Sequence, residues 1–105
     1  ARVLGRYVRD RNILSLEEAI RKMTSLPANI LSIDRRGLIK EGYYADISIF
    51  DPATIIDKAT FEEPHQYAEG INSVIVNGKI VVENGAHNGN RPGKVLRGPG
   101  YKPNK

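Results

Sequence analysis

Residues 41–52 read EGYYADISIFDP. Glu41-Gly42 has turn chemistry, and Ala45 to Phe50 alternates as a strand does. Ala45, Ile47 and Ile49 fall on one face, as core residues, and Asp46, Ser48 and Phe50 on the other. Asp51-Pro52 ends the strand, because proline lacks the ladder N–H and biases the residue before it. From about Asp34 the chain has strand grammar, and before it helical grammar. The stretch therefore marks an α+β chain with its strands in the second half.

Working towards the C-terminus, residues 73–82 read SVIVNGKIVV. Asn-Gly between two β-branched runs predicts a hairpin with a type I′ turn, which needs φ > 0 at both central residues. In that register Ile75 opposes Ile80 and Val74 opposes Val81. Both faces are apolar, so the hairpin expects covering on two sides. Residues 53–71 stay ambiguous: Thr54-Ile55-Ile56 reads as a helical turn or a strand fragment, and Pro64–Tyr67 as loop. From Asn84 onward the chain holds five of its ten glycines and three of its six prolines. That tail drapes over something or stays mobile.

Towards the N-terminus, residues 2–10 read as a helix or the end of one. Ser15 begins a second, with a capping box: its hydroxyl accepts from the Glu18 N–H while Glu18 reaches back to the Ser15 N–H. Leu16, Ala19, Ile20 and Met23 form a stripe at helical spacing. Thr24 or Ser25 with Pro27 opens a short third helix, through about Leu31. Gly37–Lys40 reads as a short extended piece. The organisation is helices over 1–33, strands over 34–83 and a tail over 84–105.

The 105 residues make one domain at most, with 40% hydrophobic and 27% charged residues. No apolar run approaches the roughly 18–20 residues that span a bilayer, and no signal-peptide pattern opens the chain. Ala1 begins it without a leader, as methionine removal or excision from a longer chain would produce. The absence of cysteine excludes disulfides, thiolate zinc sites and a cysteine nucleophile, and suits a reducing compartment. Net charge is +4, which raises nucleic acid as a partner. Arg2, Arg6 and Arg9 fall within about 60° on a helical wheel, opposite Val3, Leu4, Tyr7 and Val8. This strip reads as the solvent face of an amphipathic helix in preference to a phosphate-binding surface, since no aromatics interleave with it.

The chain offers little chemistry of its own. His65 and His87 stand 22 positions apart in loop-like stretches, without H-x-H, H-E-x-x-H or cysteine to complete a zinc set. Ser15 is a cap, Ser48 and Ser73 lie in strands, and no G-x-S-x-G elbow occurs. Glu17/Glu18 and Glu62/Glu63 are adjacent pairs, which point about 100° apart on a helix. Gly85-x-x-x-Gly89 and Gly93-Lys94 lack the spacing and context of a phosphate loop. Asp46 is the most tempting acid, with an Asx-type turn at the mouth of a strand as its plainer reading. No catalytic, cofactor-binding or metal-binding residue is assigned.

Several segments, in order and at sensible spacing, resemble the C-terminal part of the metal-dependent amidohydrolases. They are Thr24–Ala28, Gly37-Leu38-Ile39, Gly42-x-x-Ala45-Asp46-Ile47-x-Ile49-Phe50-Asp51 and Val74-x-Val76-Asn77-Gly78-Lys79. Arg2–Arg9, Leu16–Thr24, Thr60-Phe61, Pro64–Tyr67, Gly70-Ile71 and Arg91–Arg97 resemble the N-acyl-D-amino-acid deacylase branch. Together the matches run up to about Gly98. One departure is Leu31-Ser32-Ile33, where the superfamily carries glycine in the middle. Serine adopts φ > 0 less easily, so the short helix is expected to end differently here.

The resemblance implies a (β/α)₈ barrel parent whose last helices lie in residues 1–33, with a small composite β-sandwich built partly from residues 34–83. It implies zinc at the barrel mouth, held by an early H-x-H pair, a bridging ligand and two later histidines, with an aspartate on the last barrel strand as general base. All of these would lie upstream of Ala1. The implied reaction is hydrolysis of N-acyl-D-amino acids to D-amino acid and carboxylate, in the cytoplasm. This segment would be inactive alone and partnered by the rest of the parent chain, with no nucleic-acid or membrane partner. The rival expectation is a stand-alone β-rich interaction module, whose exposed sheet edges bind a partner; a basic nucleic-acid binder ranks last.

Overall fold

The computed structural model describes residues 1–103. Its first element, Val3–Asp10, is helical as expected but wound as a π-helix, with the Arg11 N–H bonded to the Arg6 carbonyl five residues back at 2.8 Å. Helix α1 (Leu16–Met23) starts at Ser15, whose hydroxyl accepts from the Glu18 N–H at 3.2 Å. Only this half of the expected capping box forms. The Glu18 carboxylate turns to Arg21 instead, taking Nη2 at 2.6 Å and Nε at 3.0 Å.

Helix α2 (Ser25–Ile30) follows at once. Its end corrects the expectation for Ser32. Ser32 adopts φ 53°, its N–H reaches the Asn29 carbonyl at 3.2 Å, and the Ile33 N–H reaches Ala28 at 2.9 Å. These are the two bonds of a Schellman motif, formed with serine where glycine is usual. The carbonyls of the last turn need those donors, so the left-handed conformation persists despite the Cβ.

No strand forms over 37–40, and the turn at Glu41-Gly42 closes with a bond from Tyr43 N–H to the Lys40 carbonyl. Four strands then make one antiparallel sheet in sequence order: β1 (Ile47–Phe50), β2 (Ile71–Val76), β3 (Lys79–Glu83) and β4 (Ala86–His87). The Asn77-Gly78 turn has φ 49° and 79°, as type I′ requires. Ile75 faces Ile80 as expected, but Val74 pairs with Val82, leaving Val81 as the extra residue of a bulge. The bulge turns carbonyls towards the tail: the Val81 carbonyl accepts the Asn88 N–H, and the Ile80 carbonyl accepts the side-chain amides of Asn88 and Asn90.

A second register shift lies between Ile49 and Phe50, where Ile49 faces Ser73 but Phe50 faces Ile71. The extra residue is Asn72, on β2. Phe50 packs onto the core and Ile49 is left 49% exposed, against the expectation of Ile49 as a core residue. The stretch 53–56 resolves into a turn closed on the Asp51 carbonyl, followed by a single bridge between Ile56 and Glu69.

The core is small. Leu4, Ala19 and Ile55 are buried together, joining the π-helix, α1 and the turn after β1, with Leu16, Ile20, Phe50 and Ile71 packed around them. No residue of the four strands is buried. The surface of 8324 Å² compares with about 5,900 Å² for a compact chain of this mass. The radius of gyration is 15.7 Å, against about 13 Å for a compact domain of this length.

Candidate functional site

Two charged clusters organise the molecule. In the first, Asp46 at the mouth of β1 accepts from the Arg36 guanidinium and from the Asn77 N–H at 2.8 Å. Arg36 also donates to the Asn77 side-chain oxygen at 2.7 Å and lies over the Tyr44 ring, 4.2 Å from its centroid. Asn77 passes the network on, donating to the Pro92 carbonyl at 2.7 Å. Partial burial pushes the Asp46 carboxyl up, but the Asn77 N–H and the Arg36 charge outweigh it and hold the group below the usual carboxylate range. Asp46 is thus neither a free acid nor an Asx-turn residue. The Asx turn belongs to Asp51, which takes the Ala53 N–H at 2.9 Å.

In the second cluster Asp57 receives Arg2 at 2.7 Å and Arg6 at 3.0 Å. The Arg2 hydrogen bond, helped by Arg6 and opposed by partial burial, holds Asp57 below its ordinary range. Arg9 donates to the Ile55 carbonyl at 2.7 Å. The three arginines are therefore not a bare solvent face. They clamp the π-helix to the loop that carries the core residue Ile55.

The remaining candidates stay apart. Ser15 Oγ takes a backbone N–H and Ser73 Oγ donates to the Asn72 side-chain oxygen, so neither faces a base. Ser48 is exposed on β1, and His65 is exposed in its loop. His87 lies on β4, its Nδ1 accepting the Gly89 N–H. Glu18 is paired to Arg21, and the Glu63 carboxylate takes the Gln66 amide. No helix follows Gly93-Lys94 among the described residues.

An open groove of about 790 Å³ runs between Arg6, Tyr7, Arg11 and Phe61, and another of about 700 Å³ between Leu16, Ile20, Leu38 and Phe50. Hydroxyls and carboxylates line both, but the hydrogen bonds of Thr24 and Thr60 go to backbone groups and not to a carboxylate or imidazole. Among the described residues no three His, Cys, Asp or Glu side chains converge in a way that could hold a metal ion, so the residues present do not fit a zinc centre. No described helix is long and apolar enough to cross a membrane.

Sequence reasoning missed Asp57, Arg36 and the side-chain role of Asn77. Asn77 was visible only as a turn residue, and nothing local links Arg6 to an aspartate 51 positions away.

Residues 2–82 match the family model described as the amidohydrolase family. The chain belongs to that family. It is 48% identical over 95 residues to the D-aminoacylase of Alcaligenes xylosoxydans xylosoxydans, an alignment covering 90% of this chain and 20% of that enzyme. A crystal structure of D-aminoacylase superposes with a TM-score of 0.86 at 49% identity, over 90% of this chain and 20% of that one. The N-acyl-D-glutamate deacylase from Bordetella bronchiseptica, solved with zinc and a phosphonate mimic of the tetrahedral intermediate, gives 0.81 at 44% identity, over 91% of this chain and 20% of that one. The chain thus spans about a fifth of the length of the amidohydrolases it matches.

Proposed function

We propose that this chain is the C-terminal structural part of a zinc-dependent amidohydrolase that cleaves the amide bond of N-acyl-D-amino acids. Residues 1–33 close a (β/α)₈ barrel, residues 34–83 supply strands of a composite β-sandwich, and 84–105 wrap the larger body. No residue of this segment is catalytic, cofactor-binding or metal-binding. Zinc, which residues of the parent outside this segment would hold, would supply Lewis-acid chemistry at the amide. The segment's partners are the rest of its parent and, through that, the small-molecule substrate, with no nucleic acid or membrane. The parent works in the cytoplasm, which suits a chain without cysteine.

The observation that carries the reading is 48% identity to D-aminoacylase across 90% of this chain, aligned to a fifth of that enzyme. Three features of the fold support it. Among the described residues β1 has no partner on its outer edge, no strand residue is buried, and apolar side chains such as Ile30, Leu31 and Ile39 lie 73%, 62% and 86% exposed. All three suit a surface completed by further chain. The D-aminoacylase and D-glutamate deacylase structures match this segment at 49% and 44% identity, as a scaffold shared by enzymes of different side-chain preference should.

A chimera tests this. When the segment replaces its counterpart in N-acyl-D-glutamate deacylase, the hybrid is expected to turn over N-acyl-D-glutamate as its host does. A preference that moves with the segment, or loss of zinc from a folded hybrid, would contradict the assignment.

A further inference from the structure

The chain contains three Asn-Gly steps, at 77–78, 84–85 and 88–89. In such a step the glycine nitrogen can attack the asparagine side-chain carbon, with no Cβ on the glycine to obstruct it. In a fold, the rate depends on what holds that nitrogen and what holds the carbonyl oxygen. At the first step the Gly78 N–H donates to the Ala45 carbonyl at 2.9 Å. Asn77 is tied at both ends of its amide, Oδ1 to Arg36 and Nδ2 to the Pro92 carbonyl, each at 2.7 Å. At the second the Gly85 N–H donates to the Asn72 carbonyl at 2.9 Å. Peptide carbonyls satisfy these N–H groups but do not remove their protons.

The third step is built differently. The Gly89 N–H donates to the His87 imidazole Nδ1 at 2.9 Å. The Asn88 side-chain oxygen accepts the Asn90 N–H at 3.0 Å. A base sits on the nucleophile and a backbone donor sits on the oxygen that gains charge, the two devices of acyl transfer. We propose that Asn88 is a self-deamidation site, with His87 as its general base and the Asn90 N–H as its oxyanion donor, while the fold shields Asn77 and Asn84.

The chemistry balances within the chain plus one water. His87 Nδ1 takes the Gly89 proton as the Gly89 nitrogen bonds to Asn88 Cγ. The Cγ–Nδ2 bond breaks, the imidazolium returns its proton to the departing nitrogen, and ammonia leaves a five-membered succinimide. Water opens the ring at either carbonyl, giving aspartate or isoaspartate at position 88. The product cannot make the present bond from Asn88 Nδ2 to the Ile80 carbonyl at 2.7 Å. The tail then keeps only Asn90 on that carbonyl, at 3.0 Å. The inference is independent of the amide hydrolysis proposed above.

The test uses the full-length protein that carries this segment, aged at neutral pH and followed by tandem mass spectrometry resolving aspartate and isoaspartate at the three positions. Folded, Asn88 is expected to convert faster than Asn77 and Asn84 by about ten-fold, a modest share of the 10²–10⁴ a positioned base can supply. In denaturing urea the spread is expected to narrow. His87→Asn places a non-basic oxygen where Nδ1 stood, and is expected to bring Asn88 down to the rate of Asn84. Conversion at Asn88 no faster than at Asn84 in the folded protein, or undiminished in a folded His87→Asn variant, overturns the proposal. An unfolded variant shows itself by rapid conversion at Asn77, and the ranking in the folded wild type then decides.

Discussion

Ser32 holds φ 53° so that two backbone donors can finish α2. A left-handed residue with a Cβ is held there at a cost, so Ser32→Gly is expected to raise stability by about 0.5–1 kcal/mol, read as a higher urea midpoint. Asp46 and Asp57 make a second residue-scale prediction. Both carboxyls are held below their ordinary value in the fold. Their contribution is therefore complete above the unfolded carboxylate pKa of about 3.9 and is lost as pH falls through the lower folded values. The urea midpoint should drop on acidification below about pH 4, and Asp57→Asn should flatten that drop. The local devices here were legible in sequence: the Ser15 cap, the Asn77-Gly78 turn and the Asp51-Pro52 stop each follow from the residue's own chemistry. The charge clusters were not, because a pairing across 51 positions leaves no mark on the neighbouring residues.

At the scale of elements, the π-helix and the loop after β1 meet at Gly5. A Cβ there would collide with the Ile55 carbonyl oxygen. Gly5→Ala is therefore expected to destabilise the chain by about 2–3 kcal/mol despite alanine's better helix propensity, checked by thermal or urea unfolding. The sequence announced helix, helix and hairpin from periodicity and turn residues, and the structure bears them out. It did not announce the two bulges, which change the cross-strand partners. One extra residue at Val81 displaces Val74 onto Val82, and one at Asn72 sets Phe50 opposite Ile71. Period-2 reasoning assumes an unbroken ladder, so it misplaces side chains wherever a bulge intervenes.

Taken whole, the molecule has a secondary structure richer than its core. Leu4, Ala19 and Ile55 tie helices to loop, while the sheet that the hairpin predicts stays at best half-buried. The apolar character of both hairpin faces was the sequence's sign of this, since it asked for covering that the described residues do not provide. Of a site the sequence offered only separated candidates, and the acid it singled out, Asp46, is tied to Arg36 and the Asn77 N–H by partners that its neighbours in sequence do not reveal. The central claim, a support segment of an amidohydrolase without the reacting groups, is tested most directly by zinc content and N-acetyl-D-amino-acid hydrolysis. Both are measured on the purified 105 residues and on the full-length protein that carries them. Zinc and turnover in the longer protein, with neither in the 105-residue chain, is the predicted result; stoichiometric zinc or turnover in the 105-residue chain would contradict it.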